Sequence, residues 1–326
     1  MKFERLLKAL NWALLSTSLV AGTASAATLK LGHVTPPSHV WHKVAEKIDE
    51  NLQAKTKGDL KLNISPLSKL GTEAQMINLL QSGAMQIGIL NAGVLANREP
   101  SLFAWSLPYI FKDVEHATKA VETPAAQQML KNLEQNGMLG VGYAFAGMRH
   151  VVSTKPITSP DDLVNKKVRA FPNAIYNDFW NAFKAAPTAM PLSEVAPSLT
   201  TNLLDAVDID LDALVGMKVH QQAPYLTLTN HMAFPAVIVV SKRYFDRLDA
   251  EQQKILLEAI HEAEKWGFAE AIKAEVANLE QAKKDDVKLQ TLNLDPFERV
   301  GKTILEKYTQ DNELRASFLE QVKAIQ

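Results

Sequence analysis

The chain has 326 residues and no cysteine, so whatever core it builds must hold without disulfides, which is feasible at this length. Its formal net charge of −1 excludes the concentrated basic surface that a nucleic-acid partner requires. Beyond the first 26 residues no stretch is apolar enough to cross a bilayer, and a chain this long divides into two domains.

Lys2, Arg5 and Lys8 make a basic start, Trp12 to Ala21 is a short apolar run, and Ala24-Ser25-Ala26 supplies the small residues a signal peptidase needs. The run is shorter than the ~20 residues of a membrane span, so it reads as an export signal cleaved near Ala26 rather than an anchor. Its removal takes the formal charge from −1 to −3 and leaves a soluble protein in the periplasm.

Thr28 to His33 alternates and then meets Pro36-Pro37, which predicts a first strand ending in a loop. His39 to Thr56 follows as a helix, with Val40, Val44, Ile48 and Leu52 along one face and Gly58-Asp59 as its stop. Leu60 to Ile64 alternates as a second strand. Thr72 and Glu73 open another helix that Ser82-Gly83 closes, and Met85 to Leu90 is a short apolar strand. This strand–helix alternation predicts a parallel sheet covered by helices.

In the middle third, Leu139 to Phe145 and Val151 to Ser153 read as two strands around a glycine-bearing turn, Ala146-Gly147-Met148-Arg149. A short helix at Asp161-Asp162-Leu163 precedes a strand from Lys167 to Phe171. Helices are expected over Ala174–Ala185 and Ser193–Leu203, and a strand over Asp205–Leu211. Ala236 to Val240 is wholly apolar and predicts a central buried strand. From Asp249 to Lys284 the pattern is helical almost without interruption, long enough to pack against both lobes.

The sequence carries no Gly-x-Ser-x-Gly, no His-Glu-x-x-His, no phosphate-binding glycine loop and no cysteine nucleophile, which argues against an enzyme. His33, His39 and His42 cluster, yet no cysteine or nearby carboxylate completes a tetrahedral set, so no metal site and no cofactor are expected. Asp208, Asp210 and Asp212 alternate on one strand face. Three like charges there must be solvated, paired with a cation, or set in a polar cleft, and the candidates are a solvated edge strand or a cleft wall. Arg149 follows the glycine turn and Arg169 sits between Val168 and Phe171. A guanidinium fork can hold a carboxylate, sulfonate or phosphate by two parallel hydrogen bonds.

In Leu31-Gly32-His33, Lys69-Leu70-Gly71-Thr72-Glu73, Leu107-Pro108-Tyr109-Ile110-Phe111, Gly147-Met148-Arg149, Lys167-Val168-Arg169, Pro187 to Val195 and Thr227-Leu228-Thr229-Asn230-His231, the chain resembles the solute-binding proteins of tripartite ATP-independent periplasmic (TRAP) transporters. The resemblance runs nearly end to end. It implies an α/β, two-lobed periplasmic binding fold with a long helix spanning both lobes, a small organic anion held between them, and closure over it. The lobes would be 27–146 plus 235–274 and 147–234 plus 275–326.

The family's signature arginine corresponds to Arg169 and a second arginine to Arg149, with His33, Asn91, Asn173 and Leu192 at other ligand-lining positions. Where many members place a ligand-touching asparagine, this chain has Ile209. Asp208 or Asp210 would then supply the second polar anchor, favouring a ligand with hydroxyls or an amine. The implied partners are the small and large membrane subunits, with the protein itself a monomer. A ligand-sensing module for a receptor and a periplasmic enzyme on a similar scaffold are the alternatives.

Overall fold

The computed structural model describes residues 27–325; the expected export signal lies outside them. Strand β1 (Ala27–Gly32) pairs in parallel with β2 (Leu60–Ser65) and β3 (Ile87–Asn91), as the alternation predicts. Helix α1 (Val40–Thr56) lies between β1 and β2 and buries Val40, Trp41, Val44, Ala45, Ile48 and Leu52. It ends where Lys57 and Gly58 turn left-handed. Helix α2 (Glu73–Ser82) starts at a capping box, Thr72 and Gln75 each satisfying the other's backbone N–H, and stops at left-handed Gly83. Helix α3 (Ala92–Leu95) follows β3 directly, and a 3-10 turn occupies Pro100–Ser106. Helices α4 (Val114–Ala120) and α5 (Pro124–Asn132), which the periodicity did not reveal, complete this region.

The two strands expected around a glycine turn are one: β4 runs from Met138 to Ser153. Gly147, at φ +133°, lets the chain kink without leaving the extended state, and the register slips between Phe145 and Met148. The first part of β4 pairs antiparallel with β9 (Ala233–Ser241), and its last residues pair with β7 (Ala206–Asp210) and β8 (Tyr225–Thr227). β4 thereby passes from one sheet into the other. With β5 at Lys167–Ala170 and β6 at Ala186–Ala189, the main path is β2-β1-β3-β9-β4-β7-β5-β6, so the apolar strand predicted at Ala236–Val240 is indeed central and wholly buried. The sheet is mixed, since β9 and β4 run against their neighbours.

In the second half, β5 (Lys167–Ala170) lies parallel to β6 (Ala186–Ala189) and to β7. Helix α6 (Ala174–Ala182) is three residues shorter than expected because Lys184 turns left-handed. The helix expected over Ser193–Leu203 reduces to a 3-10 turn and α7 (Val195–Thr200), closed by left-handed Asn202. Helix α8 (Leu211–Gly216) follows β7, so Asp212 lies on a helix and not on the strand face. A one-turn helix, α9 (Lys242–Phe245), precedes α10 (Ala250–Lys284).

At 35 residues α10 is about 50 Å long and packs on α1, β4 and α8, bridging the two halves as predicted. Gly267 makes the approach possible: a Cβ there would meet Val44 Cγ2 at 2.6 Å. β10 (Lys288–Gln290) pairs with β8, and α11 (Asp295–Thr309) packs on α6. Helix α12 (Glu313–Ala324) docks on α5, the Pro100–Ser106 turn and α11. Gln321 Oε1 accepts from Ala125 N at 2.9 Å, and His116 Nε2 bonds Val322 O at 3.2 Å, which ties the last helix to α4 and α5. No helix among the described residues is long and apolar enough to cross a membrane.

Candidate ligand-binding site

Two sets of parallel strands, β1 to β3 and β5 with β6, end on one cavity. Val34 follows β1, Ser68 follows β2, Val94 follows β3, Phe171 and Pro172 follow β5, and Met190 to Leu192 follow β6; all line a cavity of about 370 Å³. Parallel α/β sheets place ligand sites beyond the carboxyl ends of their strands, and here both halves of the molecule contribute such ends. The start of α2 closes one side with Thr72, Glu73 and Ala74.

Arg169 lies inside β5, opposite Thr188 of β6 and Val207 of β7. Strand alternation puts it on the same side as Phe171, and its guanidinium stacks over that ring at 4.2 Å. Nε and Nη2 donate to Met190 O at 3.3 and 3.2 Å, while Nη1 is buried with no partner. Among the described residues no carboxylate oxygen comes within 4 Å of it. Burial, and then the charge of Arg149, lowers its pKa to about 10, so it remains a cation at neutral pH. Three of its five N–H donors are left over beside a cavity wall.

Arg149 is placed differently. It faces Asp210 across the β4–β7 pair, its Nε donates to Asp208 Oδ1 at 2.5 Å, Nη1 to Asp210 Oδ2 at 3.2 Å, and Nη2 to the Asp208 carbonyl. Asp208 also accepts from Trp180 Nε1 and His231 Nε2, both at 3.1 Å. Burial would raise the Asp208 carboxyl, but Arg149 and then His231 outweigh it and hold it well below the usual range. Asp210 caps α8 through Ala213 N at 2.8 Å and faces His39 Nε2 at 3.5 Å. Asp212 accepts the first N–H of α1, from Val40, at 2.7 Å.

The three aspartates are therefore neither a solvated edge nor a cleft wall. All are buried, and a cation or helix N-terminus absorbs each. Arg149, Asp208 and Asp210 do not line the cavity; the reason is that the charges expected to meet a ligand neutralise one another.

The other expected positions divide as well. Leu192 lines the cavity. His33 bonds Thr35 Oγ1 and His42 Nδ1, both at 2.9 Å, and burial, then His42, lowers its pKa to about 3, so it stays neutral. Asn91 caps α3 through Val94 N, and Asn173 caps α6 while its Nδ2 reaches Gly93 O at 3.2 Å and Ser106 Oγ at 3.3 Å. These three sit behind the wall and not on it; Asn173 ties the two halves together. His39 is an N-cap, its Nδ1 accepting from Trp41 N at 3.1 Å.

Sequence reasoning singled out only Arg169 and Leu192 among the lining residues, and one of those it missed is a buried acid. Glu73 is 8% exposed, and its Oε1 accepts the Asn91 N–H at 2.6 Å. Burial pushes its carboxyl up to about 7, against the Asn91 N–H and the Arg169 charge. In the sequence it looks like an ordinary first-turn acid of a helix, and only its neighbours β3 and β5 reveal otherwise.

A two-lobed α/β molecule with an unpaired guanidinium at an interlobe cavity is a ligand-binding protein of the periplasmic type. The chain belongs to bacterial extracellular solute-binding protein family 7, whose model matches residues 31–311. An uncharacterized protein of Haemophilus influenzae is 30% identical over 93% of this chain and 95% of its own length. The 2,3-diketo-L-gulonate-binding periplasmic protein YiaO of Escherichia coli K12 is 29% identical over 79% of this chain and 80% of its own. Among solved structures, a sugar-acid-binding protein of Advenella mimigardefordensis in complex with galactonate superposes with a TM-score of 0.89 at 22% identity, covering 93% of this chain and 99% of that one. A TRAP solute-binding protein of Bordetella, with density assigned to pantoate, gives 0.84 at 24% identity, covering 90% and 98%.

Proposed function

We propose that this protein is exported, loses residues near 1–26, and works in the periplasm as a monomer that captures a small organic anion for the small and large membrane subunits of a TRAP transporter. Capture is binding without chemistry: Arg169 supplies the anion's partner, and the lobes close over the pair. The observation that carries this reading is the buried Nη1 of Arg169, which has no partner at the wall of a cavity built from strand ends. A buried cation without a counter-charge is costly, and an arriving carboxylate removes that cost. Family membership and the YiaO relative, a periplasmic binding protein for a sugar-derived acid, support the same reading.

The test is a thermal-shift screen of organic acids followed by calorimetry on the acid that raises the melting temperature most. Each hydrogen bond to a charged group contributes about 1.5–3 kcal/mol, so Arg169→Gln should weaken binding about 100-fold or more. A loss within about threefold would remove the proposed role.

A further inference from the structure

Resting on that reading, the rest of the cavity wall narrows the class of solute. Val94, Phe171 and Leu192 are buried lining residues, and half-buried Val34 and Met190 continue the hydrocarbon surface. Besides Arg169, Glu73 is the only buried polar side chain among the lining residues. Thr72 and Asn97 are exposed at the mouth and each partly engaged: the Thr72 hydroxyl accepts from Gln75 N at 3.3 Å, and the Asn97 amide donates to Val94 O at 3.1 Å. Half-buried Ser68 adds one hydroxyl.

A polyhydroxylated acid carries a hydroxyl on nearly every carbon. Each one pressed against this wall would leave water without finding a partner, at about 1–3 kcal/mol apiece. A dicarboxylate would bring its second charge toward Glu73, a like charge. Glu73 itself is half used: Oε1 is fixed on the Asn91 N–H, which leaves Oε2 able to accept one more hydrogen bond. Burial outweighs the Asn91 N–H and the Arg169 charge and holds its carboxyl near 7, so at pH 8 Glu73 is an anionic acceptor.

We infer that the solute is a monocarboxylate with one hydroxyl and a branched hydrocarbon body, Arg169 holding the carboxylate, Glu73 accepting from the hydroxyl, and the apolar wall taking the body. Glu73 is then the residue that sets specificity within the site. Its backbone position is fixed by the capping box at Thr72, and its oxygen by β3, so the acceptor is preorganised.

Calorimetry at pH 8 on the mature protein with four probes tests this: 2-hydroxyisovalerate, isovalerate, galactonate and succinate. 2-Hydroxyisovalerate should bind at least about tenfold more tightly than each of the other three, because isovalerate lacks the hydroxyl, galactonate has too many, and succinate repels Glu73. Glu73→Gln keeps an oxygen for the Asn91 N–H but loses the charged acceptor. It should shrink the gap between 2-hydroxyisovalerate and isovalerate to about threefold or less and improve succinate relative to both.

Tight, Arg169-dependent binding of galactonate or succinate would overturn the solute class and leave the solute-binding reading standing. An undiminished gap in Glu73→Gln would overturn the role of Glu73. Failure of every probe to bind, or binding indifferent to Arg169→Gln, would overturn both.

Discussion

Two guanidiniums flank the ring of Phe171, Arg169 at 4.2 Å and Arg149 at 5.0 Å from its centroid, and the fold treats them in opposite ways. Arg149 is neutralised by Asp208 and Asp210, and burial's penalty on its charge is outweighed by Asp208, Tyr176 and Asp210. Removing one partner of a buried ion pair costs about 3–5 kcal/mol, because the other charge is left stranded. Arg149→Met should therefore lose stability of that order in urea unfolding at pH 7. Arg169→Met strands no carboxylate within 4 Å and removes a buried cation without a counter-charge, so it should hold or raise ligand-free stability while abolishing binding. Equal losses in the two variants would refute this separation of roles.

Glu73 makes a pH prediction at the same scale. Below the ordinary carboxyl range both the folded and unfolded chains hold its proton, and it costs nothing. Between that range and about 7 only the unfolded chain ionises, so stability falls as pH rises; above about 7 the cost is constant. Ligand-free Glu73→Gln should match the wild type in melting temperature near pH 4 and exceed it at pH 8, by up to on the order of 3 kcal/mol in stability. A difference that does not grow with pH would show that Glu73 is not held protonated by burial.

Among the elements, β4 carries the most. It crosses from one sheet to the other, and its kink at Gly147 aims Arg149 at β7. A Cβ at Gly147 would collide with the Glu275 carboxylate, and its φ of +133° is one that L side chains rarely adopt. Gly147→Ala should cost about 1–3 kcal/mol in urea unfolding, through strain and displacement of the Glu275 oxygen near Met148 N. A neutral substitution would mean that the kink relaxes freely and does not position Arg149. Helix α2 works in the opposite way: its capping box is local, yet it delivers Glu73 to a site completed by distant strands.

On the scale of the molecule, both sheets meet along β4, while α10 and the contacts of Asn173 and Asp212 hold the halves in register. A solute bound only by the folded state at 100 times its Kd adds about 2.7 kcal/mol of stability. If binding also draws the halves together, small-angle scattering should show a smaller radius of gyration with saturating acid. A rise in melting temperature at constant radius would mean capture without closure.

In chain order, the residues alone determined the alternating elements from β1 to β3, the central apolar strand and the long bridging helix, and they offered Arg149 and Arg169 equally as partners of an anion, between which only the family resemblance chose. Each rests on periodicity or on the chemistry of one side chain, which neighbours in sequence suffice to express. Tertiary structure decided the rest: that Arg149, Asp208 and Asp210 neutralise one another, that the last helix returns to α4 and α5, and that Glu73 faces the cavity. Asp208 is 59 residues from Arg149 in the chain, and Glu73 accepts from an N–H 18 residues away. Whether a charge is free or spent depends on which distant strand lies beside it, and only the folded sheet fixes that.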